Sequence, residues 1–232
     1  MSPHKNCESC NAKSCFLFKN SVAKLHDELT SKKSCMTFAK NQAIFSEGET
    51  VSGIYFIKKG KVKVHKESSY RGQIIRFAKD GDILGHSGLG GDNFYPVSAT
   101  TIEESSICFV EQGMLFKLIK KNSMLSIRMM MFYANELKKT ENRLRNMAVM
   151  TVRDRVAEAL ILIMDNFSKK NGLGTILDIN LSRKEIAEIA GTYPEQVSRY
   201  FSEFKDQGLI DLSGRTIVVK QPNLLRSIID SY

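Results

Sequence analysis

The first half of the chain, from about Met36 to Val110, consists of short segments in which hydrophobic and polar residues alternate. Four segments show this pattern: MTFAKNQAIFSEGE, GIYFIKKGKVKVHKE, GQIIRFAKDGDILG and SATTIEESSICFVE. A period of two residues in segments of this length is typical of antiparallel β-strands in a roll or sandwich. Glycines within and between the segments predict turns or close backbone approaches at Gly48, Gly53, Gly60, Gly72, Gly81 and Gly85.

The pattern changes at Ser123, and from there to Val149 the chain contains neither glycine nor proline. This stretch predicts one long helix of about 40 Å, at ~1.5 Å per residue. Its apolar residues recur with a heptad spacing that Glu141 interrupts. The helix could pack on the sheet of its own domain, or it could form a two-stranded coiled coil and make the protein a homodimer. The second interpretation assigns dimerisation to Ile127, Met130, Ala134, Leu137 and Leu144.

Near the C-terminus, LSRKEIAEIAGTYPEQVSRYFSEFKDQGLI shows two helix starts separated by a glycine. Ser182 and Glu185 have the spacing of a capping box, and Thr192 and Glu195 repeat it after Gly191. A short helix, a tight turn and a longer helix form a helix-turn-helix pattern. The predicted buried stripe of the second helix is Val197, Phe201 and Phe204. The following LIDLSGRTIVV alternates around a Ser-Gly turn and predicts a hairpin, the wing of a winged helix-turn-helix.

The second helix carries polar residues opposite its apolar stripe, namely Glu195, Ser198, Arg199 and Ser202. Arginine can donate two hydrogen bonds to guanine O6 and N7, and glutamate can accept one from the cytosine amino group. These residues lie near the helix N-terminus, where a recognition helix meets base edges. Alternatively, Glu195 only closes its capping box and Arg199 is a solvated surface charge. The pair of capped helices favours the DNA-binding interpretation.

Composition and charge narrow the class of protein. A chain of 232 residues with 42% apolar residues forms one large or two ordinary globular domains. No apolar run is long enough to cross a membrane and no signal peptide begins the chain, so we expect a cytoplasmic protein with no membrane partner. The net charge of +9 favours an anionic partner. Residues 151–232 carry eleven basic and eleven acidic side chains, so DNA binding there requires a local arrangement of residues.

A second class of function is a small-molecule-binding or redox enzyme, built as a β-roll with an appended helical domain. That interpretation requires acid, base or metal-binding side chains that converge within the roll. The predicted strands contain no such cluster, and His65 and His86 are too few to form one. The sequence therefore favours a non-enzyme. A third interpretation, an adaptor that binds a partner other than DNA through the long helix, leaves the two capped helix starts near the C-terminus unexplained.

The order of roll, long helix and winged helix-turn-helix resembles the cAMP receptor protein/FNR superfamily of bacterial transcription regulators, and it is closest to the FNR branch. The motifs GDILGHSGLGG and EQVSRYFSEFKDQGLI carry the resemblance most specifically. It implies an α+β fold: a cyclic-nucleotide-binding-like antiparallel β-roll (double-stranded β-helix), a dimerisation helix and a DNA-binding domain. The implied partners are double-stranded DNA at a palindromic site, RNA polymerase and a second copy of the chain. The corresponding domains are 1–20, a cysteine-containing segment; 21–122, the β-roll sensor; 123–149, the dimerisation helix; and 150–232, the winged helix-turn-helix.

The resemblance also assigns individual residues. Glu195, Ser198 and Arg199 match the recognition residues of the FNR branch, whose half-site resembles TTGAT. Gln196 replaces a threonine that is common in that branch. Together with Ser202 and with Arg183 of the preceding helix, these residues form the predicted DNA-binding set.

The signal sensed by the roll is a separate question. Cyclic-nucleotide binders of this family carry an Arg-Ser pair where this chain has Tyr95 and Pro96. Without that guanidinium the phosphate loses a strong charge-assisted contact, which argues against cyclic AMP as the ligand.

The cysteines suggest another signal. Cys7, Cys10 and Cys15 crowd near the N-terminus, and Cys108 lies in the last predicted strand. Four such thiolates can bind an iron–sulfur cluster or, as a weaker alternative, zinc. FNR regulators hold an oxygen-sensitive [4Fe–4S] cluster in this way, although here the second gap is one residue shorter. The cysteines could also be structural or vestigial, and Cys35 is interpreted as a small buried residue outside the set.

Overall fold

The computed structural model describes residues 15–20, 32–68, 71–171, 174–214, 216–230 and 232. The predicted ligands Cys7 and Cys10 lie outside the described residues. The described chain divides into two compact units. The first comprises the residues up to Leu137 except 71–74, and the second comprises 71–74 and the residues from Lys138 onward. No described helix is long and apolar enough to cross a membrane.

The first unit contains two four-stranded sheets with the orders β1-β8-β3-β6 and β2-β7-β4-β5. Every pairing whose register is described in these sheets is antiparallel, which confirms the predicted antiparallel roll. The strands are β1 Ser34–Phe38, β2 Ala43–Phe45, β3 Gly53–Lys59, β4 Val62–Lys66, β5 Gln73–Ala78, β6 Ile83–Leu84, β7 Ser98–Thr101 and β8 Ser105–Glu111.

The central strands β3 and β8 divide their side chains between two hydrophobic cores. Tyr55 and Ile107 belong to the roll interior. Phe56 and Cys108, each one residue further along, belong to a second core beneath the helices. Successive side chains of a strand point to opposite faces, so a sheet covered on both sides produces this division. Gly53 begins β3 instead of lying in a turn. A Cβ there would stand 2.2 Å from the Val110 carbonyl oxygen, so this close approach of the backbone requires glycine.

Among the described residues, the helical segments that belong to the roll or leave it include α1 Phe16–Asn20, a 3-10 turn His86–Leu89, α2 Gln112–Lys121 and α3 Ser123–Val149. The long helix has the bounds that its sequence predicts. Leu125 and Met129 of α3 are buried in the second core together with Leu17 of α1. Phe16 and Phe132 meet edge to face, with ring centroids 5.4 Å apart. The start of the described chain is therefore packed on the long helix.

The second unit contains α4 Val152–Asn166, β9 Ser168–Asn171, β10 Gly174–Leu177, α5 Arg183–Ala190, α6 Pro194–Asp206, β11 Ile210–Ser213, β12 Thr216–Val219 and α7 Pro222–Ser227. The wing hairpin β11–β12 is confirmed. Its sheet is larger than predicted, with the order β11-β12-β10-β9. Helix α4 opens with a capping box between Thr151 and Asp154 that supports it in the same way as the predicted box of α5.

The two predicted capping boxes of the helix-turn-helix have different outcomes. The box between Ser182 and Glu185 is confirmed. The box between Thr192 and Glu195 is wrong: the N-cap of α6 is Tyr193, whose side chain makes no capping hydrogen bond. The turn is so short that Thr192 belongs to the end of α5, where its buried backbone N–H donates to the Ala187 carbonyl. Proline at the first position of α6 removes one N–H that would otherwise need a partner.

A buried polar cluster joins the roll to α3 within the first unit. The Arg76 Nε lies 3.8 Å from Glu136 of α3, and its Nη2 donates to the Ile83 carbonyl at 2.8 Å. The Tyr133 hydroxyl donates to the His86 carbonyl at 2.8 Å. His86 is 7% exposed, and its Nδ1 has no hydrogen-bond partner among the described residues. Burial, followed by the charge of Arg76, lowers the pKa of His86 to about 4.

This lowered pKa predicts acid sensitivity of the first unit. In the unfolded chain His86 takes up a proton as the pH falls below its ordinary pKa near 6.5, whereas in the folded chain it stays neutral until about pH 4. Stability that is present above pH 6.5 is therefore lost as the pH falls through this window. Between pH 7 and pH 4.5 we expect the wild type to lose about 2 kcal/mol more unfolding free energy than His86→Gln. Urea denaturation at both pH values measures this difference, and equal losses in the two proteins would contradict it.

Candidate DNA-binding surface and thiol cluster

Helix α6 separates apolar and polar residues on opposite faces. Val197, Phe201 and Phe204 are almost completely buried, as predicted. Glu195, Ser198, Arg199 and Ser202 are exposed on the other face. Because the buried stripe fixes the rotation of the helix, it also determines which residues are presented outward.

The exposed face of α6 offers donors and acceptors of different kinds. The Arg199 guanidinium lies 4.9 Å from the Tyr200 ring centroid, and its Nη2 is 3.4 Å from the Tyr200 hydroxyl. Ser198 and Ser202 donate their hydroxyl protons to the carbonyls of Pro194 and Ser198. Their oxygen lone pairs can still accept hydrogen bonds, while Arg199 only donates. The face can therefore contact both donors and acceptors on an anionic, polar ligand.

The remaining predicted DNA-binding residues are less exposed. Gln196 and Arg183 are half-buried. The Arg183 guanidinium lies 4.3 Å from the centroid of the Phe201 ring, and burial lowers its pKa. Arg183 therefore packs α5 against α6 as well as bordering the surface. The structure also exposes Tyr193 at the start of α6, a residue that sequence reasoning missed because it assigned the cap to Thr192.

The heptad residues of α3 are exposed in the part of the chain that the structure describes. Met130, Leu137 and Leu144 are 67%, 60% and 73% exposed, and Ile127 and Ala134 are exposed as well. The residues that pack on the roll, Leu125 and Met129, belong to a different stripe of the helix. The helix therefore packs on its own domain, as one interpretation predicted, but through Leu125 and Met129 and not through the heptad residues.

The described cysteines all contact the second core of the roll. Cys35 of β1 and Cys108 of β8 are directly opposed in the antiparallel register, with their Sγ atoms 2.6 Å apart. Cys15, which precedes α1, packs against the same core. Contact with Cys35, followed by burial, raises the pKa of the Cys108 thiol. Cys35 was predicted to be a small buried residue outside the ligand set; it is half-buried, and it contacts Cys108.

The structure describes two of the four predicted thiolate ligands. Cys15 and Cys108 share one core, whereas Cys7 and Cys10 lie outside the described residues. Among the residues that the structure does describe, no group of three or more cysteine, histidine, aspartate or glutamate side chains is arranged to hold a metal ion. A metal-binding arrangement would therefore depend on the N-terminal pair.

The glycine turn of the roll is closed by an aromatic side chain. Tyr95 is 2% exposed, and its hydroxyl donates to the Gly53 carbonyl at 2.7 Å. Its ring stacks on Phe45 with centroids 4.2 Å apart. A Cβ added to Gly85 or Gly88 would meet the Tyr95 ring at 3.0 or 3.1 Å. The ring therefore fills the space beneath the 3-10 turn and brings no positive charge there.

Family models match both units. Residues 35–122 match the cyclic nucleotide-binding domain, and residues 154–228 match the Crp-like helix-turn-helix domain. Among solved structures, FixK2 from Bradyrhizobium japonicum has a TM-score of 0.74 at 25% identity, over 84% of this chain and 96% of that one.

Curated relatives cover most of the chain. The transcriptional activator protein anr of Pseudomonas aeruginosa is 24% identical over 93% of this chain and 88% of its own length. The CRP-like cAMP-activated global transcriptional regulator of Mycobacterium tuberculosis is 25% identical over 85% and 88%. The cAMP-activated global transcriptional regulator CRP of Salmonella typhimurium is 29% identical over 78% and 87%. These relatives are transcription regulators, which sets aside the enzyme interpretation. The two matched domains in this order, the antiparallel roll followed by a long helix and the exposed face of α6 show that the chain belongs to the CRP/FNR family of DNA-binding transcription regulators.

Proposed function

We propose that the protein is a homodimeric regulator that reads a two-fold symmetric DNA site with the exposed face of α6. The observation that carries this proposal is the almost complete burial of the apolar stripe of α6 opposite an exposed polar face. A recognition helix in the major groove contacts bases through residues near its N-terminus, which here are Glu195, Ser198 and Arg199. The further macromolecular partner of such a regulator is RNA polymerase.

Arg199 is the residue that we expect to discriminate bases most strongly. Its guanidinium lies over the Tyr200 ring and is exposed, so it is accessible to a base. A bidentate contact to guanine O6 and N7 would then distinguish that base from the other three. Glu195, one turn earlier on the same face, can accept from a cytosine amino group.

We expect Arg199→Ala to cost about 1–3 kcal/mol per half-site and to relax the preference at one base pair. Competition binding with a set of single-base duplex variants measures both quantities. Lys205→Ala is the matched control, because Lys205 is an exposed cation at the other end of the same helix. It should leave the base preference unchanged. An Arg199→Ala protein with the base preference of the wild type would contradict the assigned role.

Dimerisation is supported by the exposed heptad residues of α3. Exposed leucine and methionine side chains in this spacing are the pattern of a two-stranded coiled coil. Pairing of two such helices would give the protein a two-fold axis and present two copies of α6. Those two helices can read half-sites about one helical turn apart, which matches a palindromic site.

A charge in the heptad seam should prevent dimerisation. We expect Leu144→Glu to shift the protein toward monomer, because two carboxylates would face each other in the apolar seam. Sedimentation equilibrium measures the change, and weaker binding to the palindromic duplex should accompany it. The matched control is Asn142→Glu, which adds the same charge at an exposed position outside the seam. Equal dimer affinity in Leu144→Glu and the wild type would rule out this seam.

We propose that cyclic AMP is not the signal of this chain, although two relatives are named for activation by it. The Tyr95 ring occupies the space beneath the glycine turn, and its hydroxyl is already bonded to Gly53. A phosphate placed there would meet an aromatic ring where the cyclic-nucleotide binders offer a guanidinium.

For the signal itself we propose a [4Fe–4S] cluster held by Cys7, Cys10, Cys15 and Cys108, with zinc as the alternative metal. The contact of Cys15 and Cys108 with one core supports this choice, because the two residues are far apart in the sequence. Four thiolates suit an iron–sulfur cluster, which would supply sensitivity to oxygen. The described residues do not hold a metal by themselves, so the proposal depends on the N-terminal cysteines.

The structure suggests how such a site would influence DNA binding. Cys15 is followed directly by Phe16, whose ring contacts Phe132 on α3. Leu17, the next residue, is buried in the core that also contains Leu125 and Met129 of α3. Fixing Cys15 against β8 would favour this packed arrangement and so bias the position of the dimerisation helix. The bias requires that the two states of the helix differ in their affinity for the cluster.

We expect protein purified without oxygen to contain iron and sulfide, and to lose both on exposure to air. Cys10→Ser and Cys108→Ser should contain little iron and should bind the palindromic duplex differently from the wild type. Cys35→Ser is the matched control and should retain iron, because Cys35 is outside the proposed ligand set. Metal analysis, absorption spectroscopy and DNA binding are measured on each protein. A colourless, iron-free anaerobic wild type would eliminate the cluster and leave the DNA-binding proposal intact.

A further inference from the structure

Cys35 and Cys108 have the geometry of a cross-strand cysteine pair. They are direct partners in the antiparallel register of β1 and β8, and their Sγ atoms are 2.6 Å apart. Directly opposed residues of antiparallel strands have Cα atoms about 4.5–5.5 Å apart. A disulfide requires a Cα separation of about 4.4–6.8 Å, so the backbone already lies in the right range. Neither cysteine is in a disulfide in this structure.

The two thiols differ in access to solvent. Cys35 is half-buried on β1, which is an edge strand of its sheet. Cys108 is buried on β8, between β1 and β3. A small oxidant therefore reaches Cys35 first, and Cys108 lies in contact behind it. This is the arrangement of an attacking thiol with a resolving partner.

We propose that Cys35 and Cys108 form a reversible dithiol–disulfide couple that is oxidised by hydrogen peroxide. The Cys35 sulfur attacks one peroxide oxygen and the O–O bond breaks, which gives a sulfenic acid at Cys35 and the first water. The Cys108 sulfur then attacks the sulfenic sulfur. The S–S bond forms, the S–O bond breaks, and the released hydroxide leaves with the Cys108 proton as the second water. Two thiols lose two electrons, and one peroxide is reduced to two waters.

The disulfide would remove Cys108 from any set of metal ligands. The proposed cluster and the disulfide are therefore alternative states of one region, and only this statement rests on the proposed function. The dithiol–disulfide couple itself requires no metal. Reduction by a dithiol reverses it through thiol–disulfide exchange.

The test uses the full chain in its reduced, metal-free form with a chelator present. The protein is treated with one equivalent of hydrogen peroxide, denatured, alkylated and digested with trypsin. Trypsin separates the cysteines: Cys35 falls in the peptide 34–40, Cys108 in 80–117, Cys15 in 14–19, and Cys7 and Cys10 together in 6–13. We expect a linked pair of the peptides 34–40 and 80–117 that disappears after treatment with dithiothreitol. A link between 80–117 and either N-terminal peptide, or no link to 80–117 at all, would overturn the proposal.

A simplified protein removes competition from the N-terminal cysteines. In the triple variant Cys7→Ser, Cys10→Ser and Cys15→Ser only Cys35 and Cys108 remain, and both should become inaccessible to alkylation after oxidation. Adding Cys35→Ser is the matched control, and its Cys108 should remain fully alkylated. Irreversible oxidation of Cys35 without a link to Cys108 would refute the pair. Because no metal is present, these results do not depend on whether the anaerobic protein contains a cluster.

Discussion

The pairing of β8 with both β1 and β3 is the constraint on which the first unit depends. It places Ile107 and Phe109 against the roll interior and Cys108 and Val110 against the core beneath the helices. A slip of one residue would exchange these two sets, so that each core would receive side chains that do not fit it. The register is therefore strongly determined, and it brings Cys108 to Cys35. Since α2 begins directly after β8, the same register also determines where the helices leave the roll.

The second unit follows a similar logic on a helical surface. Phe201 and Phe204 of α6 are buried, and they hold the helix in one rotation. The same rotation presents the polar face to solvent. This explains how residues 151–232, which carry no net charge, can bind an anionic partner. What matters is where its few donors and acceptors are held, because phosphate contacts orient such a complex and base contacts specify its sequence.

Helix α3 carries two different stripes of side chains along its length. One stripe, which includes Leu125 and Met129, completes the core of the roll. Another stripe, which includes Leu137 and Leu144, remains exposed and available to a second copy. The cluster of Arg76, Glu136 and His86 ties the same helix to the 3-10 turn of the roll. A change in the roll could therefore reach the proposed dimer interface without an intervening loop.

The sequence by itself determined the antiparallel roll, the bounds of α3, the capping box at Ser182 and the two faces of α6. These features depend on periodicity and on contacts between residues a few positions apart, which a single sequence shows directly. Tertiary structure alone decided the contact between Cys35 and Cys108, which are 73 residues apart. It also decided that Tyr193 instead of Thr192 is the N-cap of α6, since the backbone N–H of Thr192 donates to the Ala187 carbonyl at the end of the preceding helix. Strand register and tight turns result from the packing of whole elements, so the partners they create cannot be read from local spacing.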